Sequence, residues 1–387
     1  MTGREQSTPD GHEGPGWHIA AIAALLIVVA IRYFPSFTTL RQLGDEEAYL
    51  CAFKSIGDGR SPYECNRYVY PAPVAELGAL LSHVAGARVV QVGMRIINGL
   101  GAAVAVWAAL GWVGWAYAVR LTAGMILVLF APPIQEAMEF GNLSPLATGL
   151  ALAAFALWTT APIAAGVLLG LGTVVKPIVG AGVVMLIFHR PTGTLRRRSL
   201  TAGVIAGIVI SGLLATTPRL LPEMLRKSAL GPNASHNITP YHLLHCFGID
   251  LPAFLFSGIA LAAGAIAAWT QVFTSAELVA VSVVVAQLGA PSVFNHTLLL
   301  VLPVPILAFD AALRRVQGAR TAGAAERTRS LVACIVAVIG AGVILASDVF
   351  GEPVLDLSPW QYGLLALVPT LSPAFLAVMF VRASRHG

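Results

Sequence analysis

Apolar runs of bilayer-spanning length recur along the whole chain, near residues 17–36, 72–87, 90–111, 119–135, 143–160, 162–188, 200–217, 251–270, 274–290, 296–312, 330–347 and 359–381. Short polar or Gly/Pro-rich stretches separate them. At the rise of an α-helix each run is long enough, or nearly so, to cross a bilayer, and the pattern predicts an all-α, polytopic integral membrane protein of about twelve transmembrane helices. Residues 17–381 read as a single membrane domain, with no repeat of fixed period and no soluble segment long enough to fold alone. Residues 1–16 are polar, rich in Gly and Pro, and lack the basic start of a signal peptide, so they read as a disordered cytosolic tail; residues 382–387 form a second tail.

Composition and charge sharpen this picture. The 387 residues are 57% hydrophobic and only 11% charged, with a mean hydropathy of +0.77, which excludes an ordinary soluble protein. The formal charge of +5 comes mainly from arginines that cluster between apolar runs. Arg190, Arg196, Arg197 and Arg198 lie in one such gap and five arginines lie between Arg314 and Arg329 in another. Both gaps fall on the same side as the N-terminus and the Arg382/Arg385 tail, which makes that side cytoplasmic. The basic balance therefore speaks to topology and anionic lipid, and no nucleic-acid module is present. The same parity places two long polar stretches, 35–71 and 218–250, and the junction from Gly289 to His296 on the extracytoplasmic face, where they could form one cavity. Cys51, Cys65 and Cys246 fall on that face; a disulfide among them is open, and the sequence chooses no pair. Cys334 falls within a span, and no cysteine spacing matches a zinc site.

The candidate chemistry sits in the first polar stretch: Gly44-Asp45-Glu46-Glu47-Ala48-Tyr49, then Gly59-Arg60-Ser61-Pro62-Tyr63, then Tyr68-Val69-Tyr70-Pro71. Three adjacent carboxylates can be a solvated acidic start to a loop. The interleaved tyrosines argue otherwise, because tyrosine favours the membrane–water interface and would lay this loop along the bilayer. A carboxylate in such a position is suited to abstract a proton from a hydroxyl. Lys176, ahead of Pro177 in an otherwise apolar run, would face a cavity or a partner, or else snorkel to the interface; in a cavity it is a candidate phosphate ligand. The glycines before it suit close helix packing and lack the order of a nucleotide-binding loop. Asn142 reads as a helix N-cap beside Pro145 or as the lining of a broken-helix cavity. Asn295 and His296 open a late helix. Arg95 with Asn98, and Glu136 with Glu139, are expected to form structural pairs.

The order of these motifs resembles family 87 of the GT-C membrane glycosyltransferases, over roughly residues 17–303. The likeness rests on Gly44-Asp45 with Tyr49, Gly59 to Tyr63, Tyr70-Pro71, Gly141-Asn142, the glycine-rich stretch from Gly170 to Lys176-Pro177, Asn237-Ile238-Thr239, and Ser292 to His296. The sequence departs from the family pattern at Tyr70-Pro71-Ala72-Pro73, where Tyr-Pro-Pro is usual, and at Asn142, where Gln is common. These departures bear on the sugar and the acceptor more than on the class.

What the resemblance implies is an extracytoplasmic, multi-pass enzyme of a bacterial, actinobacterial-like plasma membrane. It would move a sugar, mannose before arabinofuranose, from a polyprenyl-phosphate donor to a lipid- or envelope-linked glycan with inversion. Asp45 would be the general base and Glu46 a second carboxylate that orients the acceptor or substitutes as base. Tyr49, Tyr63, Asn142, Lys176, His236, Asn237, Asn295 and His296 would bind substrate. Without an Asp-x-Asp motif, no nucleotide, metal or other cofactor is expected. Its partners would be the lipid-linked sugar, the acceptor and membrane lipid. A lipid-linked-sugar flippase or secondary transporter is the rival of another class, but the carboxylates lie in a loop and no paired interrupted helices occur in matching halves. A polymerase or ligase of lipid-linked glycans would favour a larger outer loop rich in arginine and histidine.

Overall fold

The computed structural model describes residues 14–35, 44–229, 239–249, 252–290, 295–318, 324–345 and 359–386. Every described element is helical. The chain enters through α1 (Pro15–Arg32) and then forms a short polar helix α2 (Gly44–Gly57) in the stretch expected to be a loop. Next come α3 (Ala72–Ala85), α4 (Ala87–Leu110), α5 (Tyr117–Phe130), α6 (Pro132–Phe140), α7 (Ser144–Leu157), α8 (Pro162–Val175), α9 (Ala181–Phe188) and α10 (Thr194–Leu214). A surface helix α11 (Leu221–Ala229) and a short α12 (Pro240–Cys246) precede α13 (Ala253–Thr270), α14 (Ser275–Gly289), α15 (Pro303–Gly318), α16 (Ala324–Leu345) and α17 (Pro359–His386). Short 3₁₀ segments join several of them, at Pro62–Glu64, Pro177–Gly180, Pro218–Leu220 and Asn295–Val301.

The protein is an all-α, polytopic membrane protein. Among the described residues α1, α4 and α10 are each long and apolar enough to cross a bilayer, and α5 with α6 makes a fourth if that bent pair is one span. The remaining apolar helices are shorter. Large apolar side chains point outward along these helices, Ile31 at 72% exposure, Val84 at 76% and Ile208 at 61%, a surface that lipid covers and water would not tolerate.

Inside, the scaffold is held by small residues. Where α4 crosses α7, a Cβ on Gly101 would lie 2.5 Å from the Pro145 carbonyl oxygen, and one on Gly149 2.5 Å from that of Gly101. Gly166 and Gly170 of α8 lie in the same way against Ala202, Ile205 and Val209 of α10. Without a hydrophobic force between helices in lipid, such close backbone approach supplies the dispersion contact that holds them together. A continuous core of Ala, Leu and Val joins α1, α4, α7, α8, α10, α14 and α15.

Two breaks interrupt this regularity. At Pro132 the axis turns by 52° between α5 and α6, because proline cannot donate the helical hydrogen bond and clashes with the preceding turn. At Lys176-Pro177 the run expected to span 162–188 in one piece splits into α8 and α9, with Lys176 extended at φ −140° and ψ 111° as a residue before proline prefers.

Candidate active site

The N-terminal turn of α2, the α6–α7 junction and the α8 break meet at one place. Gly141 ends α6 in the left-handed conformation at φ +68°, a cap that glycine accepts at no steric cost, and so reverses the chain at Asn142. A Cβ on Gly44 would lie 2.8 Å from the ring of Phe140, so only glycine lets the start of α2 come this close to the end of α6. Asp45 is thereby set beside Asn142.

Asn142 is fully buried and uses both ends of its amide. Its oxygen accepts from the backbone N–H of Ser144 at 2.8 Å and from the Ser144 hydroxyl at 2.7 Å, which fixes the amide orientation. Its nitrogen donates to the Asp45 carboxylate at 2.5 Å and to the Tyr70 hydroxyl at 3.3 Å. Asn142 is not the N-cap of α7, a position that Leu143 holds without a side-chain bond; it stands one residue earlier, with its oxygen on Ser144 and its nitrogen aimed at the carboxylate.

Tyrosines build the rest of the wall. The ring of Tyr70 stacks on Tyr49 at 4.8 Å between centroids, and Tyr68 meets both edge-on. Tyr63 donates its hydroxyl to the Tyr70 carbonyl at 3.0 Å, and Tyr68 donates to that of Pro71 at 3.0 Å. Burial pushes all four phenols above their ordinary value, so they remain neutral hydrogen-bonding groups. The Lys176 ammonium lies 5.6 Å from the Tyr70 ring centroid, and Asp45 and Glu136 are the carboxylates that act on it. A lysine buried against an aromatic face in this way is not snorkelling.

Glu46 goes elsewhere. Successive residues of a helix point about 100° apart, so the neighbouring carboxylates cannot share one face. Glu46 is fully buried and receives Arg95 of α4 through two hydrogen bonds, Nε at 2.8 Å and Nη2 at 2.7 Å, with Gln91 adding a third at 2.9 Å. The structure therefore corrects the pairing expected of Arg95: its ionic partner is Glu46, across forty-nine residues. Glu47 is exposed. A disulfide joins Cys51 of α2 to Cys65, one of the three pairings the sequence left open.

Asp45, Tyr49, Asn142 and Lys176 come together around Tyr70, with Tyr63 behind it as support. His236 and Asn237 lie outside the described residues. Asn295 and His296 begin the 3₁₀ segment that packs on α6 and α7, and their side chains are likewise outside the description. Among the described residues no group of three His, Cys, Asp or Glu side chains could hold a metal ion. Sequence reasoning missed the hub role of Tyr70, and Tyr70-Pro71 ahead of an apolar helix was its only signal.

No family model and no curated protein matches the chain. Among solved structures, the crystal structure of ArnT from Cupriavidus metallidurans bound to undecaprenyl phosphate is similar at 16% identity with a TM-score of 0.38, over 95% of this chain and 78% of that one. A likeness at that level assigns no residue a role.

Proposed function

We infer that the protein is a GT-C membrane glycosyltransferase that passes a sugar, mannose in the first instance, from a polyprenyl-phosphate carrier to a hydroxyl of a lipid- or envelope-linked glycan. The observation that carries this reading is the Asp45 carboxylate, oriented by the Asn142 amide among neutral phenols, with the Lys176 ammonium over the Tyr70 ring. A carboxylate beside a cation is what inverting transfer from a lipid phosphate needs. Asp45 takes the proton of the acceptor hydroxyl as that oxygen bonds to the anomeric carbon. The bond from that carbon to the phosphate oxygen breaks, and the polyprenyl phosphate leaves with the electron pair. Lys176 offsets the charge that the phosphate gains.

In this reading Glu46 neither orients the acceptor nor substitutes as base. It is a positioning group, because its ion pair with Arg95 ties the first turn of α2 to α4. The reacting face is extracytoplasmic. The Cys51–Cys65 disulfide supports that face independently of the arginine count, since such a bond persists in an oxidising compartment.

Asp45→Asn is the test. Membranes carrying this variant, assayed with polyprenyl-phosphate mannose, are expected to lose transfer by about 10²- to 10⁴-fold, the range for removal of a general base. A wild-type rate in the variant would remove Asp45 from the mechanism. Transfer by the native protein from GDP-mannose alone, with none from the lipid-linked sugar, would sink the donor assignment.

A further inference from the structure

A polar-rimmed cavity lies at the opposite end of α2 from Asp45. Its volume is about 480 Å³, within the range of small-molecule sites, and its walls come from the end of α2, the turn at Gly59 to Ser61, the start of α3 and the segment after α10. Ile56, Pro218 and Leu220 provide an apolar floor, while Arg60, Ser61, Glu76, Thr216 and Arg219 supply donors and acceptors around it. The walls are tied in place. Ser61 donates to Glu223 of α11 at 2.5 Å, and the Cys51–Cys65 disulfide fixes the turn to α2.

Charge decides what this cavity suits. Arg60 is already engaged by Asp58 at 2.8 Å and lies 4.0 Å from Glu64. Arg219 forms no ion pair among the described residues, and Glu76 has only a weak hydroxyl donor, Thr216 at 3.4 Å. Positive and negative groups thus balance around the rim, with no surplus of cation for a phosphate. A guanidinium that donates, a carboxylate that accepts and hydroxyls that do either, over an apolar floor, match the vicinal hydroxyls and the apolar face of a neutral sugar.

We propose that this cavity binds a neutral glycan segment of the acceptor, at a distance from the hydroxyl that reacts. The proposal rests on the glycosyltransferase reading of Asp45 and deepens it. Ile56 lies eleven residues after Asp45 on the same helix, about 16 Å along the axis, so one helix carries the base at one end and the glycan clamp at the other. An acceptor engaged at both ends is selected for length, because contacts remote from the reacting centre supply the energy that orients it.

Binding of linear mannotetraose and of mannose to the full-length protein in detergent, without donor, tests the proposal by saturation-transfer NMR. Tetraose is expected to bind more tightly than mannose, and Arg219→Ala and Glu76→Gln are each expected to weaken it roughly tenfold. Thr216→Trp, at an exposed rim position, fills the cavity without touching the core and is expected to abolish tetraose binding. Equal affinity in all variants, or displacement of tetraose by inorganic pyrophosphate, overturns the assignment. Failure of the catalytic reading is distinguishable: tetraose binding would then be lost in the cavity variants while the native protein transferred nothing from a polyprenyl-phosphate sugar.

Discussion

Helix α4 belongs to two regions built on different chemistry. Its C-terminal half, Ala102 to Leu110, sits in the scaffold, where alanines and Val106 pack against neighbouring helices and Gly101 meets α7 backbone to backbone. Its N-terminal half faces the first-loop region, where Gln91 and Arg95 reach the Glu46 carboxylate and Val90 and Met94 pack on tyrosines. The scaffold is held mainly by shape, with contacts that are individually small and many, and a few side-chain hydrogen bonds such as Trp107 to His18 at 3.1 Å add to them. The first-loop region is held by a few strong links: one buried ion pair, one disulfide, and tyrosine hydroxyls that satisfy backbone carbonyls. A region of the second kind places a carboxylate accurately with only a small apolar cluster of its own, and it is expected to loosen separately from the scaffold beneath it.

The comparison breaks most visibly at Gly101. A side chain there meets backbone atoms, the Pro145 carbonyl at 2.5 Å and Leu146 Cα at 2.6 Å, which no rotamer change can clear. Gly101→Leu is expected to cost more than about 4 kcal/mol, in the range of severe overpacking, and to yield no monodisperse protein in detergent. A variant that purifies with a melting temperature within a few degrees of the native protein would show that the scaffold does not depend on this crossing.

The ion pair sharpens the same comparison from the other side. Arg95→Met leaves the Glu46 carboxylate buried without its cation and is expected to cost about 3–5 kcal/mol. Converting both partners, Glu46→Leu with Arg95→Met, should recover most of that loss, because two apolar groups avoid the desolvation penalty. Thermal melts of the two single variants and the double variant measure this coupling. Glycosyl transfer then separates the roles: a stable double variant that remains slow marks the pair as positioning Asp45, whereas a stable and fully active one reduces it to packing.

Legibility in the sequence followed this division. Hydropathy alone located the scaffold helices, since it depends on local composition, whereas the breaks at Pro132 and Pro177 fall inside runs that read as continuous spans over 119–135 and 162–188. The helix Gly44–Gly57 was not legible. It is short, polar and acidic at its start, and it forms because Tyr49, Ala52 and Phe53 find a buried surface that the sequence does not display. Glu46 and Arg95 each stood out as membrane-proximal charges, but a pair separated by forty-nine residues has no local signature. The disulfide was one of several pairings open to three cysteines. Asp45, Asn142 and Lys176 were individually visible because each breaks an apolar or turn pattern; their meeting around Tyr70 is tertiary.

The disulfide gives the mildest test and the most direct one of separability. Cys51 and Cys65 are fourteen residues apart, and closing a loop of that size stabilises by about 3 kcal/mol through the lost freedom of the open chain. That freedom lies almost wholly within α2 and the turn after it, so Cys51→Ser with Cys65→Ser is expected to loosen residues 44–70 and leave the scaffold closed. Hydrogen exchange should therefore quicken in that stretch while residues 102–110 of α4 keep their native protection, and transfer should fall with the local order of Asp45. Exchange that quickens equally in both halves of α4 would show one cooperative unit and end the distinction between the two regions. Unchanged exchange throughout would assign the hold on α2 to the Glu46–Arg95 pair and the tyrosines alone.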